Sequence, residues 1–185
     1  MPSKPQSLPL LALTLSALVA SAGCTGDTKD DSAADDTATA FDPCAGDGTS
    51  SMTLGYPLLG SFDPISDGDS VGLEVAPQGG FGVSISGMTT GIPSADDGVA
   101  VDVLLETYLD GELSASFLNT ETGLYCQGDG TSLFWGVVVG FDEDKYKTTN
   151  LTELDGKIAD LRVVVTDADG NEAEGELSVV VTVSR

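Results

Sequence analysis

The chain has 185 residues, with 30 Asp and Glu against 7 Lys and Arg, no His, and a formal net charge of −23. Such an acid excess excludes a nucleic-acid partner, because phosphates are neutralised by clustered Lys and Arg. The absence of His removes the commonest general base, the usual zinc ligand and the Ser-His-Asp triad.

Residues 1–7 are polar with one positive charge, Lys4, and residues 8–20 form an apolar run of 13. That run is short of the ~20 residues a membrane span needs and matches the core of a signal peptide. Ser21-Ala22-Gly23-Cys24 follows. This resembles a bacterial lipoprotein signal, which implies acylation of the Cys24 sulfur and a mature chain that starts at Cys24. Ser21 departs from the pattern, where a larger aliphatic residue is usual. The alternative is an ordinary secretory signal, since Ala20-x-Ala22 is itself an acceptable cleavage site. Residues 25–40 favour the lipoprotein: they hold five Asp and one Lys, and no Val, Ile, Leu, Met or aromatic residue. A segment this poor in apolar area cannot offset its ordering entropy, so it is expected to be a disordered tether. By resemblance to sorting rules of Gram-negative bacteria, Thr25 after the Cys points to the outer membrane. Removal of residues 1–23 takes away Lys4 and no acid, which moves the net charge from −23 to −24. The expected organisation is a signal peptide over 1–23, a lipidated Cys and acidic tether over 24–40, and a folded domain over 41–185.

From Phe41 onward Val, Leu and Phe return at alternating positions, punctuated by Gly and Asp-Gly. Alternation with frequent turns predicts an all-β domain. Strands are expected near 51–56, 70–76, 81–89, 99–109, 112–119, 132–141, 158–166 and 173–183. Asp110-Gly111 separates two of these runs, a strong hairpin signal because both turn positions need positive φ. A second hairpin is expected around Asp167–Asn171, between Leu161/Val163/Val165 and Leu177/Val179/Val181/Val183. Only the loop 142–157 suits a single helical turn.

The stretch 160–183 resembles the last hairpin of immunoglobulin-like β-sandwich domains, including the PKD and cadherin-like types. The expected fold is therefore an immunoglobulin-like antiparallel β-sandwich. Phe62-Asp63-Pro64-Ile65-Ser66-Asp67-Gly68-Asp69 and Pro77-Gln78-Gly79-Gly80-Phe81-Gly82 resemble an uncharacterised bacterial lipoprotein family with F-x-P-x-x-D-G-D and P-Q-G-G-[FY]-H stretches. The likeness covers residues 50–183 loosely and implies a sandwich at a surface. Gly82 stands where that family often has His, and the family offers no activity to carry over.

With Cys24 taken by lipid, Cys44 and Cys126 form an even pair expected to be a disulfide in an oxidising compartment; two separate buried thiols are the alternative. Asp167, Asp169 and Asn171 are the best candidates for a Ca²⁺ site, because Ca²⁺ needs six to eight oxygens. Gly170 and the missing distal Glu depart from the EF-hand pattern, and a hairpin turn explains the same residues. Asp63/Asp67/Asp69 and Asp96/Asp97 invite the same two readings, and Asp142-Glu143-Asp144 reads as a solvated loop with metal contact as the alternative. Trp135 alternates with Leu133 and Val137 and is expected in the core, packed on the disulfide; a sugar-stacking platform with Tyr125 or Tyr108 is the alternative. The expected function is a non-catalytic, envelope-anchored lipoprotein with a binding, adhesion or structural accessory role, held to a membrane by lipid and directed to a protein or glycan. A calcium-dependent adhesion or carbohydrate-binding module is the first alternative, and an enzyme of unknown chemistry the second.

Overall fold

A computed structural model describes residues 42–58, 61–75, 80–147 and 149–183. Lipidation of Cys24, the signal peptide, the tether and Pro77-Gln78-Gly79 lie outside the described residues. The domain is all-β, as the alternation predicts. Its strands are β1 (Ser51–Tyr56), β2 (Asp63–Pro64), β3 (Ser70–Val75), β4 (Phe81–Thr90), β5 (Val99–Leu109), β6 (Glu112–Cys126), β7 (Ser132–Gly140), β8 (Ile158–Thr166) and β9 (Glu172–Thr182). A single 3₁₀ turn, Leu151–Glu153, falls in the loop that suited one. Among the described residues no helix is long and apolar enough to cross a membrane.

Pairing runs β4-β3-β9-β8-β5-β6-β7 and returns from β7 to β4, so seven strands close into a barrel, with β1 on β4 and β2 on β1 as additions. The expected two separate sheets are therefore joined. The physical reason is that two strands change partners along their length. In β3, Ser70–Gly72 run parallel to β9, while Leu73–Val75 run antiparallel to β4. In β6, Glu112–Leu124 pair with β5, and only Tyr125 and Cys126 pair with β7.

Alternation places one face of each strand inside. Val101, Val103 and Leu105 of β5 meet Leu161, Val163 and Val165 of β8, and Val83, Ile85 and Val139 face them from β4 and β7, all at 5% exposure or less. Each such side chain contributes about 1.5–3 kcal/mol on burial. Asp110 and Gly111 both take positive φ, at 55° and 78°, as the two-residue hairpin requires.

Trp135 corrects the sequence reading. Ile85 pairs with Val137 but Gly87 pairs with Phe134, so Trp135 and Gly136 together oppose Ser86. Gly136 takes φ 47°, and its N–H donates to Ser86 Oγ at 3.0 Å. This bulge shifts the alternation by one residue. Phe134 goes into the core at 0% exposure, and Trp135 faces outward at 37%. Gly87 makes the room, since a Cβ there would lie 2.2 Å from the Phe134 ring. Gly82 is equally confined: a Cβ would lie 2.3 Å from the Val139 carbonyl oxygen, so this fold admits no side chain at that position unless β4 and β7 move apart.

Candidate functional site

The turn acids come first, because they are the candidate metal ligands. Asp167 Oδ1 accepts hydrogen bonds from the N–H of Asp169 (2.9 Å) and of Asn171 (2.8 Å), and Oδ2 accepts from Asn171 Nδ2 (2.8 Å). Burial pushes the Asp167 carboxyl up, but the donors from Asn171 and Asp169 outweigh it and hold the group below the usual range. Asp167 thus organises its own hairpin turn, and Asn171 spends its amide on Asp167. Other turn acids also accept backbone N–H groups, locally for Asp69 and Asp142 and from the distant strand β9 for Asp67. Asp67 Oδ1 accepts from Ser178 N–H (2.9 Å), Asp69 Oδ2 from Ser66 N–H (2.9 Å), and Asp142 Oδ1 from Asp144 N–H (2.8 Å). Among the described residues, the group of Cys and acids whose ligand atoms converge is Cys44, Asp96 and Cys126. The two cysteines there stand at disulfide distance, with sulfurs 2.04 Å and Cα atoms 5.5 Å apart.

A second cluster covers the outer face of β5, β8 and β9. Arg162 Nη1 lies 2.9 Å from Glu106 Oε2, and its Nε reaches Glu174. The hydrogen bond from Arg162 holds Glu106 below the usual carboxylate range, and the bond that Tyr108 donates to Glu106 pushes the phenol up. Of the aromatics considered for a sugar platform, Tyr125 and Trp135 are each 37% exposed, and Tyr108 donates its hydroxyl to Glu106. One guanidinium between carboxylates on an exposed face is worth at most ~1 kcal/mol per pair.

The third feature is a slit in the barrel wall. Because β6 meets β7 only at Tyr125 and Cys126, the two strands face each other unpaired from Ala115–Phe117 to Val138–Phe141. A groove of about 380 Å³ opens there. Its size is measured by one pair of residues. Leu105 and Phe117 are directly opposite on β5 and β6 and so share the inner face of the barrel. Leu105 is 2% exposed and Phe117 is 60% exposed. Phe117 points the way a core residue points, and nothing among the described residues covers it. The stacked rings of Phe81 and Phe141, with centroids 6.5 Å apart, form the floor. Val138, 42% exposed, forms the far wall. Thr107 Oγ1 donates to the Gly140 carbonyl at 2.7 Å and the Asp142 N–H donates to Ser114 Oγ at 3.2 Å, which fixes one end of the groove. The β6–β7 turn fixes the other: Asp129 Oδ1 accepts from the Thr131 N–H (3.0 Å) and hydroxyl (2.6 Å). Glu143 lines the mouth, and among the described residues its carboxylate forms no salt bridge.

Sequence reasoning places Phe117 on a strand and brings it to no site, and it offers Glu143 only as a solvated loop residue or a metal contact, not as part of an apolar groove. The available signal was a lone aromatic beside Leu118 in the mostly polar stretch Ser114–Thr122. No model of a known protein family matches this chain, and no curated protein matches it either.

Proposed function

We propose that the chain is a non-catalytic binding module of the cell envelope, anchored to the outer membrane by lipid on Cys24 and engaging a partner through the β6–β7 slit. The observation that carries this reading is the uncovered inner-face Phe117. An aromatic at 60% exposure beside Val138 at 42%, over a floor of stacked rings, is an apolar surface of the kind that binding sites use.

An immunoglobulin-like relationship is part of the proposal. It is supported by β3, which pairs parallel with the last strand over Ser70–Gly72 and antiparallel with β4 over Leu73–Val75, and by the closing β8–β9 hairpin. The loose likeness to the bacterial lipoprotein family agrees with an envelope location.

Fractionation tests the anchor. Cys24→Ser is expected to move the protein from the membrane to the soluble fraction, and a wild type that is already soluble would overturn it. Binding is tested by sedimenting the Cys24→Ser protein, which carries no lipid, with envelope fragments lacking this chain: adding Phe117→Asp is expected to abolish retention, and unchanged retention would remove the slit from the proposal.

A further inference from the structure

We infer that the slit takes one extended, basic peptide segment, which adds as a strand to the free edge of β6, sets alternate apolar side chains over Phe117 and Phe141, and directs Lys or Arg to Glu143. This rests on the slit being the binding surface. The first argument is backbone chemistry. Along Glu112–Gly123, β6 uses one edge on β5, and no described strand uses the other. Natural edges of this length are blunted by Lys, Pro or bulges, because an unpaired row of N–H and C=O recruits another strand.

The bulges instead define a docking length. Register shifts fall between Thr107 and Tyr108 and between Val101 and Val103, and the second coincides with Glu121 in the left-handed region at φ 60°. Between them Ala115–Asn119 pair with β5 in unbroken register. A guest strand therefore has about five residues of regular edge, with two or three of its side chains turned into the groove.

Charge then selects the occupant. β6 carries Glu112 and Glu121 and no basic residue, Glu143 stands at the groove mouth, and the whole chain is at −23. A second copy of this chain would bring the same acids edge to edge, which charge repulsion opposes. A segment alternating apolar and basic residues satisfies edge, groove and charge together.

The test uses the full chain in detergent micelles and three synthetic octapeptides as probes: alternating Val-Lys, the same composition with four Val followed by four Lys, and alternating Val-Glu. Alternating Val-Lys is expected to bind at least about tenfold more tightly than either other peptide, with Phe117→Asp costing a similar factor. Glu143→Lys should shift preference towards Val-Glu. Amides of Ala115–Asn119 should exchange more slowly with Val-Lys bound. Equal binding of the block peptide would reduce the effect to bulk charge and overturn the strand. A concentration-dependent dimer abolished by Phe117→Asp would make a second copy the occupant and overturn the peptide. Loss of envelope binding by Phe117→Asp without binding of any peptide would sink this inference alone and leave the slit as the binding surface.

Discussion

The barrel has two places where a strand changes partners, and they end differently. At β3 the change is quick and tightly stitched. The Gly68 N–H donates to the Ser178 carbonyl (2.8 Å), the Val180 N–H to the Asp69 carbonyl (2.8 Å), Thr182 Oγ1 to the Val71 carbonyl (3.0 Å) and the Tyr56 hydroxyl to the Ser70 carbonyl (3.1 Å). Val71 beneath them is 3% exposed. At β6 the change is postponed to the last two residues, and Phe117 is left uncovered. A short strand that switches after three residues closes a wall; a long one that switches at its end leaves an opening. Polar staples from turn acids serve the first seam, and a covalent link beside Tyr125 and Cys126 serves the second.

Removing that link should break the comparison most strongly. The Cys44–Cys126 loop spans 82 residues. The chain-entropy argument gives up to about 4.5 kcal/mol for a closure of that length. Cys44→Ser with Cys126→Ser should lower the denaturant midpoint accordingly, and reductant should do the same to the wild type. Denatured, unreduced wild type should show no thiol at either position; two titratable thiols there would remove the bridge.

At the stitched seam, Asp67→Ala takes the acceptor from the Ser178 N–H. A hydrogen bond to a charged group is worth about 1.5–3 kcal/mol, and exposure puts this one at the low end. Equilibrium unfolding should register the loss while peptide binding stays unchanged. If both fall together, the two seams are coupled and the contrast fails.

Acid should sharpen the difference at the closed end of the slit. The hydroxyl and then the N–H of Thr131 hold Asp129 below its usual value of 3.8. A depressed folded-state value means stability that is present above pH 3.8 and lost as pH falls through the folded-state value. Asp129→Asn should therefore lower the thermal midpoint at pH 7 by less than Asp67→Ala does, and the gap from wild type should narrow as pH falls below 3.8. A gap that stays constant as pH falls would mean that the carboxylate charge is not what holds the turn.

The smallest effect belongs to Phe117→Ser, within about 0.5 kcal/mol in unfolding, because an exposed side chain has little burial to lose. A loss of several kcal/mol would mean that Phe117 is covered in solution.

Alternation was enough to mark out the strands, because each buries one face: Val101, Val103 and Leu105 could be read directly. It failed where that condition fails. Thr120–Gly123 extend β6 without apolar alternation, and the strand runs to Cys126 where the sequence suggested 119. Trp135 was misplaced because a bulge is set by the partner strand, here Gly87 and Ser86, and leaves no local periodicity. The slit depends on where β6 leaves β5 for β7, a pairing between distant segments. The Asp-Gly turn at 110–111 was legible because its backbone need is local. Asp167 and Asn171 were legible as a turn or as ligands, and only the hydrogen bonds that Asn171 donates show how the Asp167 carboxylate oxygens are used.

The cross-link also sets a mechanical path. A pull on the chain ahead of Cys44 passes through sulfur to Cys126 and on into β7, bypassing everything between. While the bond holds, the 82 residues it spans carry no tension. They represent roughly 280 Å of chain that cannot pay out. That shielded length includes β3 to β6, so both partner changes, the stitched and the open, keep their shape under load from that end. The groove would be presented at full aperture to a partner that tugs on it, and only a reductant could release the slack.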